Sequence, residues 1–395
     1  MKRSGMPRPA WTAPLTAAAL AVLALPATAE PLTVGLSGMV GTLSMVGRPL
    51  GTDRLVDSRP EYELTLNIEG NTDAGLSYGA ILSLYAPEQE SKEYRTALFL
   101  AHEWGRLEIG ETDGPAGLLG IAAPGVGLRQ IDNPTSRFID YPVYLKARDT
   151  EWLPKISYYI PEFQGFQLGI AYAPGIGRDR RGQRALDAGT MGDLLARGFT
   201  GPTWITTAAP LSDAWEIAVA WTGAVGPVEI AASAAHTRAR TGTLDIAGDA
   251  DVPTGAAAQA SFRRVRTLDF GLAASYAGVT VGGAYFLEGG SARMSRIRGT
   301  LFDPEDDDLT AVDQTVPRGP YGRGWNAGIA YQGEFWAVAA SVAKLSTLPS
   351  ANVRAVGVGG ELELAPGLML MADALRFRGG PEYGTLMLLG MRLYF

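Results

Sequence analysis

Cysteine is absent from the 395 residues and histidine occurs twice, at His102 and His236. Disulfides and thiolate metal sites are therefore excluded, and zinc or redox chemistry has almost nothing to work with. One nucleophile pattern is present, Gly75-Leu76-Ser77-Tyr78-Gly79, which fits G-x-S-x-G. A nucleophile elbow needs a strand-to-helix turn, whereas this run enters a strand from a tight turn, so it predicts no catalysis. Asp303, Glu305, Asp306, Asp307 and Asp308 crowd carboxylates around Pro304 and could offer calcium its oxygen ligands. Their spacing fits no defined calcium loop, and a solvated acidic loop is the plainer reading. What remains is charge placed at every second position. Glu61 and Glu63 alternate with Tyr62 and Leu64, Arg106 and Glu108 with Leu107 and Ile109, and Lys155 precedes Ile156. Such charges need water on one face, where they can orient polar solutes.

The elements that carry these charges are strands. Tyr62, Leu64, Leu66 and Ile68 share one face, as do Ile156, Tyr158 and Ile160, and as do Met387, Leu389, Met391, Leu393 and Phe395. Period two is strand periodicity. About sixteen such segments follow one another, starting near Thr33, Glu61, Leu76, Tyr94, Trp104, Leu153, Phe166, Ala214, Pro227, Arg263, Val279, Arg323, Phe335, Asn352, Leu368 and Gly384. Even-numbered strands are followed by tight turns such as Ala277-Gly278 and Ala365-Pro366-Gly367. Odd-numbered strands are followed by longer segments, including 176–213 and 289–322. The 50 glycines agree with an all-β chain and lack a collagen period.

An open sheet of that many strands would expose long edges, so closure into an antiparallel up-and-down barrel is expected. Apolar residues would face outward and charged residues inward, the reverse of a soluble protein and the arrangement of a barrel in lipid. No later run is long and apolar enough for a membrane helix. Trp104, Trp215, Trp221, Trp325 and Trp336 fall near strand ends, where an interfacial belt belongs. Residues 1–29 read as a cleaved signal peptide: Lys2, Arg3 and Arg8, then an apolar stretch from Leu15 to Leu25, then Ala27-Thr28-Ala29. Residues 30–395 form one barrel domain. The formal net charge of −7 argues against nucleic acid and leans weakly towards cations as solutes.

Trp104-Gly105-Arg106-Leu107-Glu108-Ile109-Gly110, the hairpin from Ile156 to Tyr172 and the terminal Arg392-Leu393-Tyr394-Phe395 resemble the general Gram-negative porins, of alphaproteobacterial type. The resemblance covers essentially the whole mature chain. It implies a sixteen-stranded, homotrimeric diffusion channel of the outer membrane, set in lipid and lipopolysaccharide and passing small polar solutes. It also implies that Phe395 is the signal read by the barrel-assembly machinery during biogenesis. In that family the third long loop folds into the barrel and narrows it, with acids opposite basic wall residues. Here that loop is 111–152, carrying Glu111, Asp113, Asp132, Asp140 and Asp149 with Arg129, Arg137, Lys146 and Arg148. The acidic loop-tip motif of enterobacterial members is absent, and 114–128 is mostly glycine and apolar residues. Arg106, Glu108 and Lys155, whose strand parity is clear, are the firmest lumen candidates, joined by Glu61 and Glu63. Alternatives are a substrate-specific channel, an outer-membrane barrel enzyme, for which no matched Ser–His pair is evident, and an adhesin, which would need larger external domains. No cofactor is expected beyond calcium in external loops.

Overall fold

Backbone pairing in a computed structural model closes the chain on itself. The residues described are 31–48, 54–85, 94–128, 145–147, 149–150, 153–175, 177–178, 210–247, 257–289, 291, 294–303, 308–315, 322–346, 352–379 and 382–395. The wall strands are β1 (Thr33–Arg48), β2 (Leu55–Asn71), β3 (Ser77–Tyr85), β4 (Tyr94–His102), β5 (Gly105–Glu111), β6 (Pro154–Tyr159), β7 (Phe166–Ala173) and β8 (Pro210–Val225). They continue with β9 (Val228–Thr241), β10 (Val265–Tyr276), β11 (Val279–Gly289), β12 (Gly322–Gln332), β13 (Trp336–Ser346), β14 (Asn352–Ala365), β15 (Leu368–Gly379) and β16 (Glu382–Tyr394). The main sheet has 17 strands, one of them the two-residue piece Gly177–Arg178 that extends β7 along β8, so sixteen build the wall. Each pairs antiparallel with the next, and β16 pairs with β1 from Thr385↔Arg48 to Tyr394↔Met39. Closure removes the edges of the wall, which a barrel in lipid requires. At the seam, Gly38 and Phe395 exchange backbone hydrogen bonds of 2.9 and 3.1 Å.

All sixteen expected strands are present. The lengths differ from the uniform ten residues anticipated: β2 runs for 17 residues and begins at Leu55 rather than near Glu61, whereas β6 has 6. Long strands rise above the wall and short ones flank the long loop. The tight turns cluster at one end, and two have the paired positive φ angles of two-residue hairpins, Gln164-Gly165 (51° and 80°) and Ala277-Gly278 (50° and 80°). At the other end lie the longer connections, except that β15 and β16 are separated by two residues. Two of the long connections contain structure that sequence periodicity did not reveal. Strands Thr243–Ala247, Ala257–Phe262, Met294–Asp303 and Asp308–Thr315 form a separate four-stranded sheet.

The outer face is apolar. On β10, Leu268, Phe270 and Leu272 are exposed while the alternate residues Thr267 and Asp269 are buried inside, which resolves the ambiguous parity of that strand. Aromatic pairs mark two levels: Tyr172 lies 4.5 Å from Trp215, and Phe166 lies 6.3 Å from Trp221. The two levels are six residues apart on β7 and on β8, about 20 Å along the strand. That matches the flanking belts of a hydrocarbon band.

Candidate functional site: the lumen and the loop that crosses it

The interior of the barrel is organised by the segment after β5. It enters the lumen at Thr112, forms a one-turn helix α1 (Pro115–Leu119) and runs along the inner wall to Leu128. Proline in the first turn of α1 starts it, and Gly120 follows its end. Inward-facing polar side chains of successive strands hold the backbone of the segment. Glu216 on β8 accepts from Ala116 N–H at 2.5 Å through Oε1 and from Thr150 N–H at 2.7 Å through Oε2. Ser233 on β9 accepts from Ile121 N–H at 2.9 Å. Asn326 on β12 accepts from Ala123 N–H at 2.7 Å and donates to the Leu145 carbonyl at 2.6 Å. Ser341 on β13 donates to the Pro124 carbonyl at 3.2 Å, and Glu361 on β14 accepts from Gly127 N–H at 2.8 Å. Asp269 on β10 accepts from Ala147 N–H at 2.7 Å on the returning limb. A loop lying inside a barrel must find partners for its peptide groups, and these eight bonds supply part of them.

Close approach makes the contact possible. A Cβ on Gly271 of β10 would come within 2.2 Å of the Ile121 carbonyl oxygen, so only glycine lets the loop lie against that strand. Beyond it, Leu128 and Leu145 are buried against Leu43 and Met45 of β1, Leu375 and Phe377 of β15, and Leu386 and Leu388 of β16. This part of the inner wall is apolar rather than charged, which corrects the expectation of a uniformly polar lumen. The reason is that the loop, not water, covers it.

The candidate residues fall into distinct places. Arg106 and Glu108 lie on the inner face of β5 as an ion pair, Nε to Oε1 at 2.6 Å, with the guanidinium 4.1 Å from the centre of the Phe99 ring. Lys155 is inward and buried, and its ammonium donates to the Thr112 carbonyl at the root of the loop. Asp113 accepts from Arg95 Nη1 at 3.1 Å at the same root. Glu61 is buried and held by Arg392, with Nε to Oε2 at 2.9 Å and Nη2 to Oε1 at 3.3 Å. Glu63 shares its face nearer the short-turn end. Glu111 is placed differently: it pairs with Pro154, on the outward parity of Ile109 and Ile156, and so does not face the lumen. Asp132 and Asp140 lie outside the described residues. So do Glu305, Asp306 and Asp307, while Asp303 and Asp308 are register partners at a hairpin end. Among the described residues no group of three or more His, Cys, Asp or Glu could hold a metal ion.

Ser77 donates to Asn71 Oδ1 at 2.6 Å, and His102 Nε2 lies 3.1 Å from the Ala74 carbonyl, so both are engaged where β2 turns into β3. His236 Nδ1 lies 2.6 Å from the Thr267 carbonyl. In the four-stranded sheet, Arg296 makes two bonds to Asp313, of 2.8 and 2.7 Å. That guanidinium holds the Asp313 carboxyl below the ordinary carboxylate range. The pairing therefore stabilises the sheet above that range and fades as pH falls through the lowered value.

The loop-anchoring residues Glu216, Ser233, Asp269, Asn326, Ser341 and Glu361 were not singled out from the sequence. A lone polar side chain at an inward position of an otherwise apolar strand was the available signal. Among the described residues, open space lies beside the loop in two places. One of about 470 Å³ lies between Leu118, Leu119 and the β5–β7 wall, and one of about 330 Å³ lies between 120–126, Lys146 and the β13–β15 wall.

A family model described as Gram-negative porin matches residues 16–380. No curated protein sequence matches the chain. Among solved structures, an anion-selective porin from Comamonas acidovorans superposes with a TM-score of 0.53 at 14% identity, covering 92% of this chain and 100% of that one. A triple mutant of Rhodopseudomonas blastica porin gives 0.52 at 13% identity, with 92% and 100% covered. A loop L8 deletion mutant of OmpT, an outer membrane protein of Vibrio cholerae, gives 0.56 at 11%, with 93% and 100% covered. At these identities the likeness is one of fold.

Proposed function

The chain belongs to the Gram-negative porin family, and from its lumen we infer a passive diffusion channel of the bacterial outer membrane for small hydrophilic solutes and ions. The observation that carries the reading is a closed sixteen-strand wall, apolar outside, whose interior is narrowed by a hydrogen-bonded loop with open space left beside it. Such a structure needs no turnover. Solutes cross down their gradients, selected by the width of the gap and by the groups that line it. Family and fold are those of a channel rather than an enzyme.

The cation preference suggested by the net charge finds no support in the fold, because a porin of the same fold from Comamonas acidovorans is described as anion-selective. A homotrimer of such barrels, assembled with the barrel-assembly machinery acting on the Phe395 end and seated among lipopolysaccharide, is the proposed working form, supported by family membership. Removal of residues 1–29 on export is part of the same proposal. Calcium at the acidic segment 303–308 rests on its carboxylate density alone.

Liposome swelling tests the reading. Vesicles containing the refolded protein should swell in isosmotic solutions of small neutral solutes, more slowly as solute size rises. Swelling no faster than in protein-free vesicles would overturn it.

A further inference from the structure

The space of about 470 Å³ beside the crossing loop has two unlike sides. Its loop side is the helix α1, where Leu118 is 54% exposed, Leu119 also lines the space, and neither the first nor the last turn carries a charge. Its wall side carries Arg106 and Glu108, locked together at 2.6 Å, and the Gln167 amide of β7, which has no partner among the described residues. Glu162 lines the rim. Arg106 is already neutralised by Glu108, and Glu162 adds a further carboxylate, so an anion gains nothing here. The Arg106–Glu108 pair and the Gln167 amide, lining one space, offer it both donors and acceptors, as vicinal hydroxyls require. The volume lies within the range of small-molecule sites.

We propose that this space is a binding station for a neutral, sugar-sized polyol on its way through the barrel, a reading that rests on the channel function above. The apolar C–H face of a pyranose lies against Leu118 and Leu119, and its hydroxyls bond Arg106, Glu108 and Gln167. The station thus favours solutes that are amphipathic by face over those that are charged.

Glucose titrated into the bath around single channels in a planar bilayer tests it. The expected result is a blocked fraction that saturates with glucose, accompanied by excess current noise. In Gln167→Ala, half-block should require about fivefold more glucose, the loss of one neutral hydrogen bond. Leu118→Asp, which places a charge on the apolar side, should weaken block at least as much. Each variant is judged by the fraction of its own current that glucose blocks, so altered conductance does not enter. A current that falls only in proportion to bulk conductivity, or variants that block as the parent does, would overturn the station and leave the channel standing. Absence of any ion current would instead remove the channel reading, and the station with it.

Discussion

Arg392 and Glu61 meet across Gly41, which pairs with both and whose missing Cβ gives the guanidinium room. The carboxylate is 2% exposed, so the pair is sheltered from the water that would otherwise screen it. Removing Arg392 takes a doubly hydrogen-bonded partner from a buried carboxylate, whereas removing both leaves mainly a packing problem. Arg392→Met should therefore destabilise the folded barrel by about 3 kcal/mol, and Glu61→Leu with Arg392→Met should recover most of that loss. Denaturant unfolding of the three proteins in detergent would measure it. Equal midpoints for the single variant and the parent would show that the pair contributes nothing to the seam. The sequence placed Glu61 on the lumen face by parity alone, but its partner 331 positions away is defined by closure of the barrel, which no local pattern encodes.

The strands were legible because lipid outside and a separate interior impose a two-residue period, and the tight turns punctuate it. Two elements escaped. The four-stranded sheet lies in the long connections, where a run such as Thr243–Ala247 does alternate but spans only 5 residues, too few to mark a strand on its own. The course of the crossing loop escaped because its bonds go to wall residues up to 234 positions distant. Its apolar composition was read correctly, but the carboxylates that hold it sit singly on inward positions, as Glu216 does between Trp215 and Ile217, a local signal that does not say which distant backbone they hold. Glu216 grips both limbs of the loop. Glu216→Gln keeps one acceptor and turns a donor towards the other amide. The loss of a hydrogen bond to a charged group, about 2 kcal/mol, should raise the population of released loop roughly thirtyfold. Single-channel records of this variant should show frequent current transitions absent from the parent. Equally quiet records would mean that the loop is held by its apolar end at Leu128 and Leu145.

For the whole molecule, the distribution of residues inverts that of a soluble protein. Leucine, valine and aromatic side chains cover the outside, and ion pairs, amides and a folded loop occupy the inside. That inversion makes sense only with lipid around the barrel and water through it. Among the described residues, an apolar cluster around Phe377 and Leu386 covers one side of the interior, and open space lies beside the loop elsewhere. The most direct measurement is the current carried by the refolded mature protein in a planar bilayer bathed in salt. Discrete conductance steps on insertion, absent from protein-free membranes, are the result expected. A correctly folded, β-rich barrel that inserts and passes no current would contradict it.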